Sequence, residues 1–180
     1  MNKARELRSL RGRIFAELSK KKSKNKCLYV NDSGIKCINS AISSHTIQRN
    51  GALRDIAESS HVHRISPSMF DEITGRRPVP QFKKIGLSNA SVFPGFCEDH
   101  YQEIFGTIEN SEGEITNNDL ILLGYRSICM ELFKKQRSAT IYRKPDNEAS
   151  IRKLGIDASA SAFLAGTDLA IKDLQEQKTL

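Results

Sequence analysis

No run of apolar residues in this 180-residue chain approaches the roughly 20 needed to span a bilayer. A membrane-spanning helix is therefore not expected. The N-terminus is basic but has no apolar core of the kind a secretory signal needs, which points to a cytoplasmic protein. A transit-peptide reading is weakened by Glu6 and Glu17. Cysteine is scarce, with four in all (Cys27, Cys37, Cys97 and Cys129). In a reducing compartment a disulfide framework is not expected, which leaves metal ligation or burial as their main roles. There is no internal repeat, and KLGIDASASAFLAG lacks the GK[ST] ending of a phosphate loop. A hydrophobic content of 38% and a mean hydropathy of −0.45 are ordinary for a soluble chain able to bury a core.

Positive charge is abundant but confined. Residues 1–26 hold ten Lys and Arg against two acids, whereas the rest of the chain holds 18 basic and 19 acidic residues. The basic pI thus describes the N-terminal stretch rather than the body. Within it, Leu7, Leu10, Ile14 and Leu18 fall close to helical spacing, which predicts a basic amphipathic helix over 3–20 followed by a charged link. Arg11, Arg13, Lys20, Lys21, Lys22 and Lys24 are the candidate contacts to a polyanion, since each phosphate neutralised releases counterions. A solvated helix with no such partner is the plainer alternative.

CLYVNDSGIKCI predicts a hairpin, approximately 27–30 and 35–38, around the turn residues NDSG. Cys27 and Cys37 are equidistant from Asp32, so a hairpin centred there sets them directly opposite on one face. ALRDIAESS has helical spacing at Leu53, Ile56 and Ala57, and HVHRI predicts a short strand. Residues 66–95 carry four of the five prolines and predict an ordered long loop with a short strand near 81–87. CEDHYQEIFGTIE predicts a helix beginning at about Cys97, and NDLILLGYRSICMELFKKQRS a long helix with an Asn/Asp cap. NEASIRKLGIDASASAFLAGTDLAIKDLQEQ predicts one final helix, rich in small residues that permit close packing on another helix or subunit.

A helix starting at Cys97 puts Cys97 and His100 on one face of its first turn, where the helix N-terminus favours a thiolate. Cys27, Cys37, Cys97 and His100 then make a Cys₃His set, a common structural zinc composition. A hairpin knuckle first and a helix N-terminus last is the plan of a treble-clef site. Cys129, amid Ile128, Met130 and Leu132, reads as a buried hydrophobe. For His45, in SSHTIQR, three roles stand open: a packed or surface histidine, a replacement metal ligand, or a general base. Ser44 beside it makes no triad, because neighbours on a strand point to opposite sides. His61 and His63 share one face of an extended segment, and Arg76 and Arg77 sit in a loop, where solvation is the simpler fate.

The pieces CLYVNDSGIKC, SHTIQ at 44–48, LSNAS at 87–91 and GFCEDH at 95–100 resemble the HNH, or ββα-metal, nuclease superfamily. The pattern SHTIQR…GFCxxH also resembles a group of bacterial proteins associated with defence against phage. The resemblance covers residues 27–109 and implies His45 as the base that activates water, and Asn89 as the loop asparagine that orients it. It further implies a structural zinc and a catalytic Mg²⁺ or Mn²⁺. Where many such helices carry a further histidine for the catalytic ion, this chain has Tyr101.

The expected architecture is α+β: an arm at 1–26, a zinc-bound treble-clef or HNH-like core at 27–110, and a helical extension at 111–180. The expected function is endonucleolytic cleavage of nucleic acid, DNA ahead of RNA. The alternatives are a non-catalytic zinc module that binds nucleic acid or protein, and a structural adaptor whose C-terminal helices form an oligomer or hold a partner protein.

Overall fold

Helical periodicity at the N-terminus and short β-prone runs in the middle produce a mixed α+β chain. The computed structural model describes residues 3–19, 25–47, 52–66, 81–110 and 115–178. In chain order the elements are α1 (Lys3–Ser19), β1 (Ile42–His45), α2 (Ala52–Asp55), β2 (His61–Ser66), β3 (Gln81–Gly86), β4 (Val92–Phe96), α3 (Glu98–Asn110), α4 (Asn117–Tyr142), α5 (Pro145–Leu154) and α6 (Asp157–Lys178). A 3-10 turn, Leu87–Asn89, joins β3 to β4. Among the described residues, no helix is long and apolar enough to cross a membrane.

The chain divides into two compact units that cut across the ranges 1–26, 27–110 and 111–180. Of the described residues, one unit contains 3–19, Ser66 and 134–178, and the other contains 25–47, 52–65, 81–110 and 115–133. In the first, the stripe on α1 finds its partners: Leu10 and Ile14 are buried with Ile141, Tyr142, Ile151, Leu154 and Ala160, flanked by Leu7 and Leu18. Arg5, Arg8, Arg11 and Arg13 all stay exposed. Burying an apolar stripe against other helices, rather than intrinsic propensity, is what holds such a helix. Two ion pairs, Lys144 to Glu17 and Lys153 to Glu6, border that stripe.

The single helix expected over the C-terminal stretch is two. Gly155 adopts the left-handed conformation (φ 66°) and ends α5. Its N–H donates to Arg152 O, and the next N–H, of Ile156, reaches back to Ile151 O, the pattern of a Schellman stop. The cap of α4 also differs from the expected Asn/Asp. Thr116 Oγ1 accepts the Asp119 N–H, while the Asp119 carboxylate accepts the Thr116 N–H and hydroxyl, a reciprocal capping box.

In the second unit, β1 and β4 pair antiparallel, with Ile42 opposite Phe96 and His45 opposite Val92. β2 and β3 form a separate two-stranded ribbon. The main core gathers Phe93, Phe96, Phe105, Ile108, Cys129, Cys27 and Cys97. Gly95 is required there, because a Cβ at that position would sit 2.2 Å from the Phe93 ring.

Candidate metal centre and the His45 corner

The hairpin over Cys27–Cys37 is made of isolated bridges, and its register is not the symmetric one. Cys27 N–H donates to Asn39 O and Cys37 N–H to Tyr29 O, with Asn31 and Ile35 closing the turn. The loop therefore centres on Ser33 rather than Asp32. Gly34 takes φ 77° and the Asn31 side chain accepts the Ile35 N–H, which together fix a three-residue turn. Cys27 and Cys37 are thus diagonal rather than directly opposed. Since side chains alternate with a period of two, a two-residue offset keeps both on the same face.

Each hairpin sulfur accepts a backbone N–H two residues on: Cys27 Sγ from Tyr29 at 3.5 Å and Cys37 Sγ from Asn39 at 3.4 Å. Gly95 O accepts the Leu28 N–H at 2.7 Å, tying the hairpin to β4 beside the second ligand pair. Cys97 stands just before α3 as its cap. Its carbonyl accepts the Tyr101 N–H, and its sulfur accepts the His100 N–H. Four ligand atoms, from Cys27, Cys37, Cys97 and His100, consequently lie within 4.8 Å of one another. Among the described residues, no second group of three or more such ligands converges.

The distances suit a tetrahedral ion. Bonds of about 2.3 Å to sulfur and 2.0–2.1 Å to nitrogen imply S···S edges of about 3.8 Å and S···N edges of about 3.5 Å. The observed edges are 4.0 Å for Cys37 to Cys97, 3.6 Å for Cys27 to His100 and 3.1 Å for Cys97 to His100. Nδ1 is the His100 atom facing the sulfurs, and Tyr29 stacks on the ring with centroids 3.9 Å apart, holding its plane. These residues can hold a metal ion. Burial pushes the Cys27 thiol up to about 11. Burial acts on Cys97 in the same direction but is outweighed by hydrogen bonds from the His100 backbone and from Cys27, Cys37 and Asn39, so its thiol falls below the ordinary value. Bringing a cation into the cluster satisfies the buried sulfurs together.

Compared with family models, curated proteins and solved structures, the chain matches none. The site is therefore read from its own chemistry.

His45 is not part of the cluster. It ends β1 at the far end of the ladder from Cys97, half-buried, with Nε2 3.0 Å from Leu87 O. A carbonyl only accepts, so Nε2 carries a proton, and in the neutral ring Nδ1 keeps the lone pair. Asn89 is exposed two residues further on, where its Nδ2 donates to Ser88 Oγ at 3.4 Å. Ser44 points inward and bonds Phe93 O, opposite in sense to His45. His61 and His63 are exposed on β2. Lys20, Lys21, Lys22, Lys24, Arg76 and Arg77 lie outside the described residues.

One residue not anticipated from the sequence braces this corner. Arg126, on α4, is fully buried; its NH1 donates to His45 O at 3.0 Å and to Glu109 Oε1 at 2.7 Å. Among the described residues, its Nε and NH2 have no hydrogen-bond partner. The guanidinium instead faces aromatic rings, 4.3 Å from the Phe105 centroid and 5.5 Å from that of Tyr101. Tyr101 completes the set by donating to Glu109 Oε1, and burial, with the Glu109 charge, pushes its hydroxyl up to about 12. The signal for Arg126 was a lone arginine inside the apolar run LILLGYRSICMEL.

Proposed function

We propose that residues 25–65 and 81–133 form a zinc-stabilised, HNH-like domain of the ββα-metal type that hydrolyses phosphodiesters in nucleic acid, DNA ahead of RNA. The observation that carries this reading is the order of parts. Strand β1 ends on His45, pairs with β4, and β4 runs straight into Cys97 and the ligand-bearing first turn of α3. The loop that precedes β4 supplies the Leu87 carbonyl to the His45 ring. A strand ending on histidine, an insertion that carries α2 and the β2–β3 ribbon, a second strand and then a ligand-bearing helix support the arrangement the resemblance leads one to expect.

In this reading Cys27, Cys37, Cys97 and His100 hold a structural zinc that takes no part in the reaction. His45 Nδ1 accepts a proton from water as the water oxygen attacks phosphorus, and the bond to the leaving sugar oxygen breaks. A divalent ion, Mg²⁺ or Mn²⁺, would supply positive charge to the scissile phosphate and the leaving oxygen. The Leu87 carbonyl holds the ring, and Arg126 holds the backbone behind it.

The test is cleavage of plasmid DNA and of RNA by purified, zinc-loaded protein with added Mg²⁺ or Mn²⁺. His45→Ala should lower the rate by about 10²–10⁴-fold, the usual worth of a general base, with zinc content unchanged. Activity that survives this substitution rules out His45 as the base. A second reading, a non-catalytic zinc module that binds nucleic acid or protein, is favoured by the convergence of just one ligand cluster among the described residues. Zinc-bound protein that cleaves nothing with any metal decides for it.

A further inference from the structure

Charge within the second unit is segregated in a way the overall balance conceals. Among its described residues from 90 to 133, six are acidic and Arg126, fully buried, is the one Lys or Arg. The β2–β3 ribbon is the reverse. Its two strands, HVHRIS and QFKKIG, contain no acid, and His61, His63, Arg64, Lys83 and Lys84 are all exposed.

The ribbon has a defined inner and outer face. Val62 and Ile85 pack inward with Leu53, Ala57, Leu87 and Ala90. Alternation then places His61, His63 and Ile65 outward on β2, and Phe82 and Lys84 outward on β3. Gly86 belongs to that outer face too, since a Cβ there would lie 3.9 Å from His61 Nε2. Ile65 and Phe82 are 55% and 70% exposed, an apolar component that a merely solvated charged face has no use for.

The ribbon is anchored to the His45 corner through one residue. Leu87 N–H donates to Ser60 O at 3.0 Å, at the turn that opens β2, and Leu87 O meets His45 Nε2 at 3.0 Å. That turn is tight and strained. Ser59 and Ser60 both have positive φ (49° and 60°), and reciprocal Glu58–His61 backbone bonds close it. The His61 ring is held there as well, Nδ1 donating to Ser59 O at 2.6 Å.

We infer that the β2–β3 ribbon is the surface on which this domain seats the phosphate backbone of duplex DNA, delivering it to His45. The inference rests on the nuclease reading for its substrate class. Charge complementarity selects the occupant, and a two-stranded ribbon is narrow enough for a major groove about 12 Å wide. The exposed cations of the ribbon, Arg64, Lys83 and Lys84, rather than the arginines of α1, are the principal phosphate contacts.

The experiment measures binding of the full-length, zinc-loaded protein to a fluorescent DNA duplex as salt is varied from about 50 to 200 mM. The triple variant Arg64→Ala/Lys83→Ala/Lys84→Ala should weaken binding at least tenfold and reduce the log–log salt slope by about one per lost phosphate contact. Lys84→Glu alone should act in the same direction. Arg11→Ala/Arg13→Ala should leave the slope unchanged. All of these side chains are exposed, so zinc content and circular dichroism serve as folding controls.

Wild-type slope in both the triple variant and Lys84→Glu overturns the inference. So does wild-type protein that ignores the duplex but binds anionic phosphatidylserine vesicles through these residues. The two readings fail separately. Duplex binding that depends on the ribbon, without cleavage under any metal, supports the ribbon and removes the nuclease. Cleavage that depends on His45 but is indifferent to the triple variant does the opposite.

Discussion

The two units are held together by different physics. The unit containing α1, α5 and α6 is a conventional helical core, in which an apolar cluster surrounds Leu10 and Ile14, the buried Asn147 side chain donates to Ile141 O, and regular helices satisfy the backbone. The unit containing β1–β4 and α3 relies on a four-residue strand paired with a five-residue strand, a two-stranded ribbon and a hairpin made of isolated bridges. Two-stranded sheets of that size are marginal alone. Three of that unit's four cysteines converge with His100 where the hairpin, β4 and α3 meet. A cross-link through metal is the natural substitute for the regular structure this unit lacks.

The sharpest way to break the comparison is to take the metal away. Chelation, or Cys97→Ser, should unfold the β1–β4 unit while sparing α1, α5 and α6. Structural zinc in small domains contributes an apparent 10–16 kcal/mol, about the largest single effect to be expected here. Hydrogen exchange followed by mass spectrometry reads this directly. Amides of β4 and α3 should lose protection while those around Leu10 and Ile151 keep theirs. Uniform behaviour of both regions would show that the difference between them is not one of metal dependence.

The converse experiment is Leu10→Ala. Leu10 is 1% exposed at the centre of the helical core, and truncating such a residue costs about 2–5 kcal/mol. Denaturation of the helical unit should move to lower denaturant, with metal content still at one ion per chain. Loss of the metal on this substitution would mean that the two cores do not stand independently.

Much of this division was legible in the sequence, and unevenly so. The α1 stripe and the Cys₃His set were visible because their spacing is local or symmetric. The hairpin register was not, because symmetry about Asp32 competes with the conformational demand of Gly34, and glycine's left-handed φ wins. The break at Gly155 was masked by helical spacing that continues on both sides of it. Nor did the sequence show that the partners of α1 lie in the last third of the chain. Leu7 and Leu18 declare an apolar face without saying what covers it. Arg126 was hidden for the opposite reason: its partners, Glu109 and the His45 carbonyl, are 17 and 81 residues away.

Arg126 offers a third and smaller test, within the unit that carries the Cys₃His cluster. Removing one member of a buried ion pair costs about 3–5 kcal/mol, and here less, about 2–3 kcal/mol, because the Glu109 side chain is 24% exposed and water can resolvate it. Arg126→Met keeps volume against Phe105 but removes both hydrogen bonds. Chemical denaturation should record the loss, and the His45 resonances should shift while the metal ligands remain bound. A cost below about 1 kcal/mol would place the charge outside the cooperative core of its unit.

The smallest expected effect is at the start of α4, whose first turn belongs to the unit with the Cys₃His cluster. Thr116→Ala removes the cap and should cost about 1 kcal/mol. The reciprocal partner gives a pH signature with a definite sign. Asp119 accepts the Thr116 N–H and hydroxyl, and these bonds hold its carboxyl below the ordinary aspartate value. A group with a depressed folded pKa stabilises above the unfolded value, about 3.9, and loses that contribution as pH falls through the lower folded value. The wild type should therefore lose a small increment of stability in that acid window, and Thr116→Ala should lose less of it. Equal acid sensitivity in both proteins would place the relevant carboxylates elsewhere. Because the effect is local, it should leave the helical unit around Leu10 unmoved, which makes it the finest probe of how separately the two regions melt.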